Sequence, residues 1–72
     1  MVNISMLKQK IEESGITIAH IASVAKIDRS TFYRRLNASG GSFTVAEATA
    51  ISKALHLTSS EVTSIFFTDI VA

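Results

Sequence analysis

The chain of 72 residues has no cysteine, no proline and only three glycines, Gly15, Gly40 and Gly41. Without cysteine there is no disulfide and no thiolate zinc site, and nothing marks an oxidising compartment. Without proline, and with so little glycine, the helix breakers are almost gone, which favours helices. The two histidines, His20 and His56, are too few and too far apart for a histidine-based metal cage. No metal, cofactor or small-molecule ligand is therefore expected. Long apolar runs are missing as well. The longest strongly apolar cluster is Ile65-Phe66-Phe67, against the roughly 20 residues that a membrane span needs, so no membrane partner is expected. The first lysine is Lys8 and polar residues interrupt the apolar stretches around it. A secretion signal is thus not indicated, and a cytoplasmic protein is the default expectation. No Ser-His-carboxylate pattern, glycine-rich phosphate loop or carboxylate pair stands out, so neither an enzyme nor any catalytic residue is expected.

What is present suits one small folded unit. Apolar residues make up 47% of the chain, too many for a disordered segment. The length leaves room for a single domain, residues 1–72, which buries only about 60% of its unfolded surface. The net charge of +1 hides an asymmetry. Residues 1–37 hold six of the seven basic side chains against Glu12, Glu13 and Asp28, a net +3; residues 38–72 hold Lys53 against Glu47, Glu61 and Asp69, a net −2. An acidic partner would be met by the first half.

Caps and periodicity predict five short helices. Asn3 caps a first helix with Ile4, Leu7 and Ile11 on one face, and Gly15 ends it by supplying a left-handed backbone. Thr17 caps a second, whose stripe is Ile18, Ile21, Ala22 and Ala25. Lys26-Ile27 is a tight turn, and Asp28 caps a third helix that runs to about Asn37 with Phe32 and Leu36 on one face. Ala38-Ser39-Gly40-Gly41-Ser42 reads as a loop. Thr44-Val45-Ala46-Glu47 and Thr58-Ser59-Ser60-Glu61 are capping boxes. The first opens a fourth helix with Val45, Ala48, Ile51 and Leu55 inward. The second opens a fifth with Val62, Ile65 and Phe66 on its apolar side. The tail Thr68–Ala72 ends in apolar Ile70-Val71, packed against either the helices or a partner, and one of Phe66 and Phe67 is a candidate for dimerisation with it.

The second and third helices are joined by so few residues that a steep crossing follows, the geometry of a helix-turn-helix over about residues 17–37. At 3.6 residues per turn Ser30, Tyr33, Arg34 and Asn37 fall within about 100° of one another. Arg29 stands at the tip and Phe32 and Leu36 point the other way. Arginine can bond guanine O6 and N7 with both arms, while Asn, Ser and Tyr serve adenine edges or phosphates. His20, on the outer side of the second helix, is placed to meet a phosphate or a carboxylate; it reads most simply as a surface residue. Ile18 is either the first member of the core stripe or a partly exposed apolar contact for another protein.

The order of helices, with "ITIAHIASVAKIDRSTFYRRLN" followed by "FTVAEATAISKALHLTSSEVTSIFF", resembles the small phage repressor and Cro-type helix-turn-helix family from roughly Ile4 to Phe67. Within that family the chain looks like the modulator-of-repression, or antirepressor, members of temperate lactococcal phages. The resemblance implies an all-α, five-helix fold and a role in a lysis–lysogeny switch. It places Arg29, Ser30, Tyr33 and Arg34 where members read bases, and Asn37 where they touch phosphate. Two positions depart from the pattern. The opening of the second helix, ordinarily a glutamine that clamps phosphate, is Ile18. The turn, ordinarily a left-handed glycine, is Lys26, which costs about 1 kcal/mol if the backbone there is left-handed and returns a positive charge. Losing the clamp disfavours DNA at that rim and suits a protein.

Two functions remain in view. The first is an antirepressor that docks its helix-turn-helix face onto the DNA-binding domain of the phage repressor, either hiding the repressor's reading surface or forming a joint DNA-binding species. The second is a Cro-like repressor that inserts its third helix into operator DNA directly. A toxin-neutralising antidote uses the same scaffold, but nothing in the sequence provides a toxin-binding extension.

Overall fold

The computed structural model describes residues 2–37 and 43–67. These residues form an all-α domain of five helices: α1 (Ile4–Ser14), α2 (Ile18–Ala25), α3 (Arg29–Asn37), α4 (Val45–Ala54) and α5 (Ser59–Phe66). The expected Ala38–Ser42 loop and the apolar Ile70-Val71 lie outside the described residues. No helix among the described residues is long and apolar enough to cross a membrane.

Each helix starts where its cap residue predicts. The Asn3 carboxamide accepts the Met6 N–H at 3.1 Å, and the Thr17 hydroxyl accepts the His20 N–H at 3.1 Å. The Asp28 carboxylate takes both the N–H and the hydroxyl of Ser30. Thr44 and Glu47, and likewise Thr58 and Glu61, form complete capping boxes. Each box satisfies donors that the first turn of a helix leaves orphaned.

Three connectors repeat one design: a left-handed residue, an apolar residue, then a cap. They are Gly15-Ile16-Thr17, Lys26-Ile27-Asp28 and His56-Leu57-Thr58, with φ of 71°, 59° and 54° at their first residues. In the second and third, the apolar residue's N–H reaches back to a helix carbonyl, from Ile27 to Ala22 at 2.9 Å and from Leu57 to Ser52 at 3.0 Å, the helix-ending bond of the Schellman motif. The same apolar residue precedes the next cap, where it can staple that helix's fourth residue. Five pairs have this spacing: Val2 with Leu7, Ile16 with Ile21, Ile27 with Phe32, Phe43 with Ala48 and Leu57 with Val62. All ten side chains lie in the core or pack against it. One apolar residue thus stops a helix, aims the next and seals the core.

The core centres on Leu7, Ile21, Phe32, Ile51 and Ile65, each fully buried. Helix α2 packs against both α3 and α4, while α1 packs against α5. The small Ala22, 1% exposed, lets α2 lie close to its neighbours. Phe43 completes the core, with ring centroids 5.7 Å from Phe32 and 6.1 Å from Phe66. Polar ties cross between helices at the edges. The Asn3 N–H donates to the Ile65 carbonyl at 2.7 Å, Lys10 pairs with Glu61, and Arg35 pairs with Glu47 at 3.0 Å.

One inward assignment is corrected. Val45, expected in the α4 stripe with Ala48, Ile51 and Leu55, is 73% exposed. It stands in the first turn, at the margin of the buried face. Two turns further on, the matching place belongs to Ser52, which is buried and donates its hydroxyl to the Ala48 carbonyl at 2.7 Å. That bond removes the cost of burying a hydroxyl, so the stripe closes without the valine.

Candidate functional site

Helix α3 is the most polar of the five and is fastened from beneath. Phe32 and Leu36 are 0% and 3% exposed, which turns Arg29, Ser30, Tyr33, Arg34 and Asn37 to the surface, all five exposed. Spacing alone sets this division: positions 32 and 36 are one turn apart, and whatever lies opposite them must face out. The Ser30 hydroxyl is engaged locally with Asp28. The Asp28 carboxyl is held below its ordinary range, first by that hydroxyl, then by the Ser30 and Thr31 N–H groups, with the Arg29 charge adding to them. Among the described residues, Arg34 makes only a 3.4 Å contact from its guanidinium to the Thr31 hydroxyl. Its remaining donors point outward.

The third arginine of α3 belongs to the scaffold. Arg35 is drawn to α4, where it pairs with Glu47 and lies 5.5 Å from the centroid of the Phe43 ring. Glu47 serves two partners, because its carboxylate also accepts the Thr44 N–H at 2.8 Å. Its carboxyl is held low chiefly by that N–H, with the Arg35 guanidinium adding to it, against a desolvation that acts in the opposite sense. The C-terminal half of α3 is thereby tied to the start of α4. Arg29 and Arg34 remain as the two outward guanidiniums.

Lys26 is exposed and left-handed, so the strain expected of a side chain in that turn is present and its ammonium is on the surface. His20 is exposed on α2. Ile18 is half-buried and packs against the core, as membership of the stripe requires, and its remaining surface lines an open cleft.

That cleft, of about 320 Å³, lies between α1 and the α2–α3 pair and is lined by Lys8, Ile11, Glu12, Ile18, Tyr33, Leu36 and Asn37. It gathers three of the expected residues, Ile18, Tyr33 and Asn37. Lys26, Arg29, Ser30, Arg34 and His20 do not line it. It also adds Lys8, Ile11 and Glu12, all from α1, which sequence reasoning did not bring to this face. Their only local signal is that Lys8 and Glu12 flank a core position one turn apart. That they sit over α3 is a tertiary fact: the Lys8 ammonium donates to the Asn37 carboxamide oxygen at 3.4 Å across 29 residues of chain. This bond uses the Asn37 carboxamide oxygen and leaves its N–H donors without an acceptor among the described residues.

A second cleft, of about 410 Å³, lies along α4 and α5 and includes Val45, Lys53, His56, Leu57, Val62 and Phe67. It contains none of the expected site residues. No group of three or more His, Cys, Asp or Glu able to hold a metal ion occurs among the described residues. No protein-family model, curated protein or solved structure matches the chain.

Proposed function

We propose that the chain is a non-enzymatic regulator of a phage lysis–lysogeny switch, acting as an antirepressor whose α2–α3 face docks onto the DNA-binding domain of the phage repressor. The observation that carries this reading is the make-up of the face. Arg29, Tyr33, Arg34 and Asn37 stand out from a helix locked by Phe32 and Leu36. At its rim, where a DNA reader needs a phosphate-binding donor, is the apolar, half-buried Ile18. A phosphate brought against the Ile18 side chain would lose water and gain no hydrogen bond from it. A protein surface loses nothing there. The likeness of "RSTFYRRLN" and "EVTSIFF" to phage-encoded regulators supports the same reading.

Opposite charge on the partner would speed the encounter and make it salt-sensitive. Titration calorimetry and co-elution with the N-terminal domain of the repressor test the proposal: a saturable heat and a shared elution peak are expected, and the absence of both ends it. The runner-up, a Cro-like operator binder, draws on the two outward guanidiniums, whose fork geometry suits guanine. It requires the protein alone to retard a phage-promoter fragment at low salt, with steep weakening as salt rises.

A further inference from the structure

The cleft beside α3 has an apolar floor inside a polar rim. Ile11 and Leu36 are 6% and 3% exposed, Ile18 is half-buried, and the Tyr33 ring stands over them nearly half exposed. Lys8, Glu12 and Asn37 form the rim. Lys8 makes a single long bond to Asn37, so two of its three ammonium donors have no partner among the described residues. Ion pairs among the described residues engage Lys10 and Arg35; Lys8, Arg29 and Arg34 take no part in them. Asp28, the acidic residue at the start of α3, already accepts from Ser30. The rim of the cleft itself carries one cation, Lys8, against one carboxylate, Glu12; the excess of positive charge lies beside it, where Arg29 and Arg34 face solvent on α3.

We infer that this cleft receives the partner's anchor: one large apolar side chain seated between Ile18 and Tyr33, with a carboxylate of the same partner beside it on Lys8. The inference rests on the reading that the α2–α3 face docks a protein, and it adds α1 to that surface. An apolar anchor covers Ile11, Ile18 and Leu36 without stranding a polar group, and the Asn37 N–H donors can reach the partner's backbone carbonyls. The carboxylate answers the Lys8 ammonium, whose remaining donors have no partner among the described residues, and fixes the register of the docked surface. A phosphate could meet Lys8 or Asn37 at the rim, but it would leave the apolar floor of Ile11, Ile18 and Leu36 without an apolar partner.

Ile18→Lys separates the possibilities because its effects on protein and DNA binding have opposite signs. Affinity for the repressor's N-terminal domain, measured by calorimetry, should fall at least about tenfold, since a charge replaces the apolar wall. Binding to an operator fragment should stay level or tighten, because a phosphate-facing cation is gained. Lys8→Glu should weaken the repressor-domain complex several-fold, with the loss shrinking as salt is raised. In the unsubstituted protein, the methyl NMR signals of Ile11 and Ile18 should shift on addition of that domain. If Ile18→Lys fails to fold, the methyl shifts and Lys8→Glu decide. Should the domain bind the unsubstituted protein and both variants equally, with the methyl signals unmoved, the anchor lies elsewhere; the inference falls and the antirepressor reading stands. Should the unsubstituted protein ignore the repressor domain and bind operator DNA alone, the antirepressor reading fails and this inference fails with it.

Discussion

Phe32 decides which way α3 faces. It is fully buried against Phe43, and truncation to alanine removes most of a ring from a closely packed interior. Phe32→Ala should cost about 3–5 kcal/mol, a large share of the stability of a domain this small. A thermal melt should show the midpoint collapse or the transition vanish; near-normal melting would mean that α3 is rotated from the orientation described. Arg34 is the complementary case. Among the described residues its guanidinium reaches only Thr31, so Arg34→Ala should change stability by no more than about 0.5 kcal/mol while weakening partner binding, read by melting and calorimetry on one sample. Lys26 holds a left-handed backbone, φ 59°, that glycine adopts without steric cost. Lys26→Gly should stabilise the fold by about 0.5–1 kcal/mol, seen as a higher urea midpoint. A drop would show that the lysine side chain contributes more than its backbone costs.

At the scale of the element, helix ends rather than helix interiors organise the molecule. The helices are 8 to 11 residues long, below the length at which an isolated helix is stable in water. Each depends on its caps and on the apolar residue that precedes them. The caps carry a pH signature. The carboxyls of Asp28, Glu47 and Glu61 are all held below their ordinary range, respectively by the Ser30 hydroxyl, by the Thr44 N–H and by Lys10. A depressed folded-state value means that the unfolded chain binds protons more readily. The stability these groups contribute is therefore complete above their ordinary values and drains away as pH falls through the folded ones. The thermal midpoint should be level near neutrality and decline below about pH 4. Glu47→Gln, which removes the charge shared by Thr44 and Arg35, should flatten part of that decline. An acid profile that Glu47→Gln leaves unchanged would assign the decline to other groups.

Across the whole molecule, the radius of gyration of 11.0 Å is that of a fully packed chain of this length, roughly 11 Å by general scaling. The two charge halves of the sequence do not become two separate surfaces. Lys10 and Arg35 from the basic half are paired with Glu61 and Glu47 from the acidic half. Folding therefore spends part of the asymmetry on internal ties and leaves the cations of the α3 side to face solvent. Because most pairings are local and helical, folding should be fast, in the microsecond to millisecond range. Temperature-jump relaxation checks this, and a second-scale phase would contradict it.

Much of this architecture is legible in the sequence because caps, left-handed stops and helical periodicity act over three to seven residues. Asn3, Gly15, Thr17, Asp28 and the two capping boxes could be placed that way, as could the outward side of α3 opposite Phe32 and Leu36. The left-handed His56 was equally legible, since it stands before an apolar residue and a cap as Lys26 does. What needed tertiary structure were relations between helices. Val45 matches the α4 stripe by spacing, yet which edge of a stripe is covered depends on the neighbour, and here Ser52 takes the covered place with its own carbonyl partner. Arg35 looks like Arg34 in the sequence; only the approach of Phe43 and Glu47 makes it part of the scaffold. Lys8, Ile11 and Glu12 joined the candidate site because the packing of α1 brings them over α3, a contact that no local period encodes. Local chemistry thus determined where each helix begins, ends and turns its apolar side, and packing decided which charges were paired between helices and which were left facing solvent.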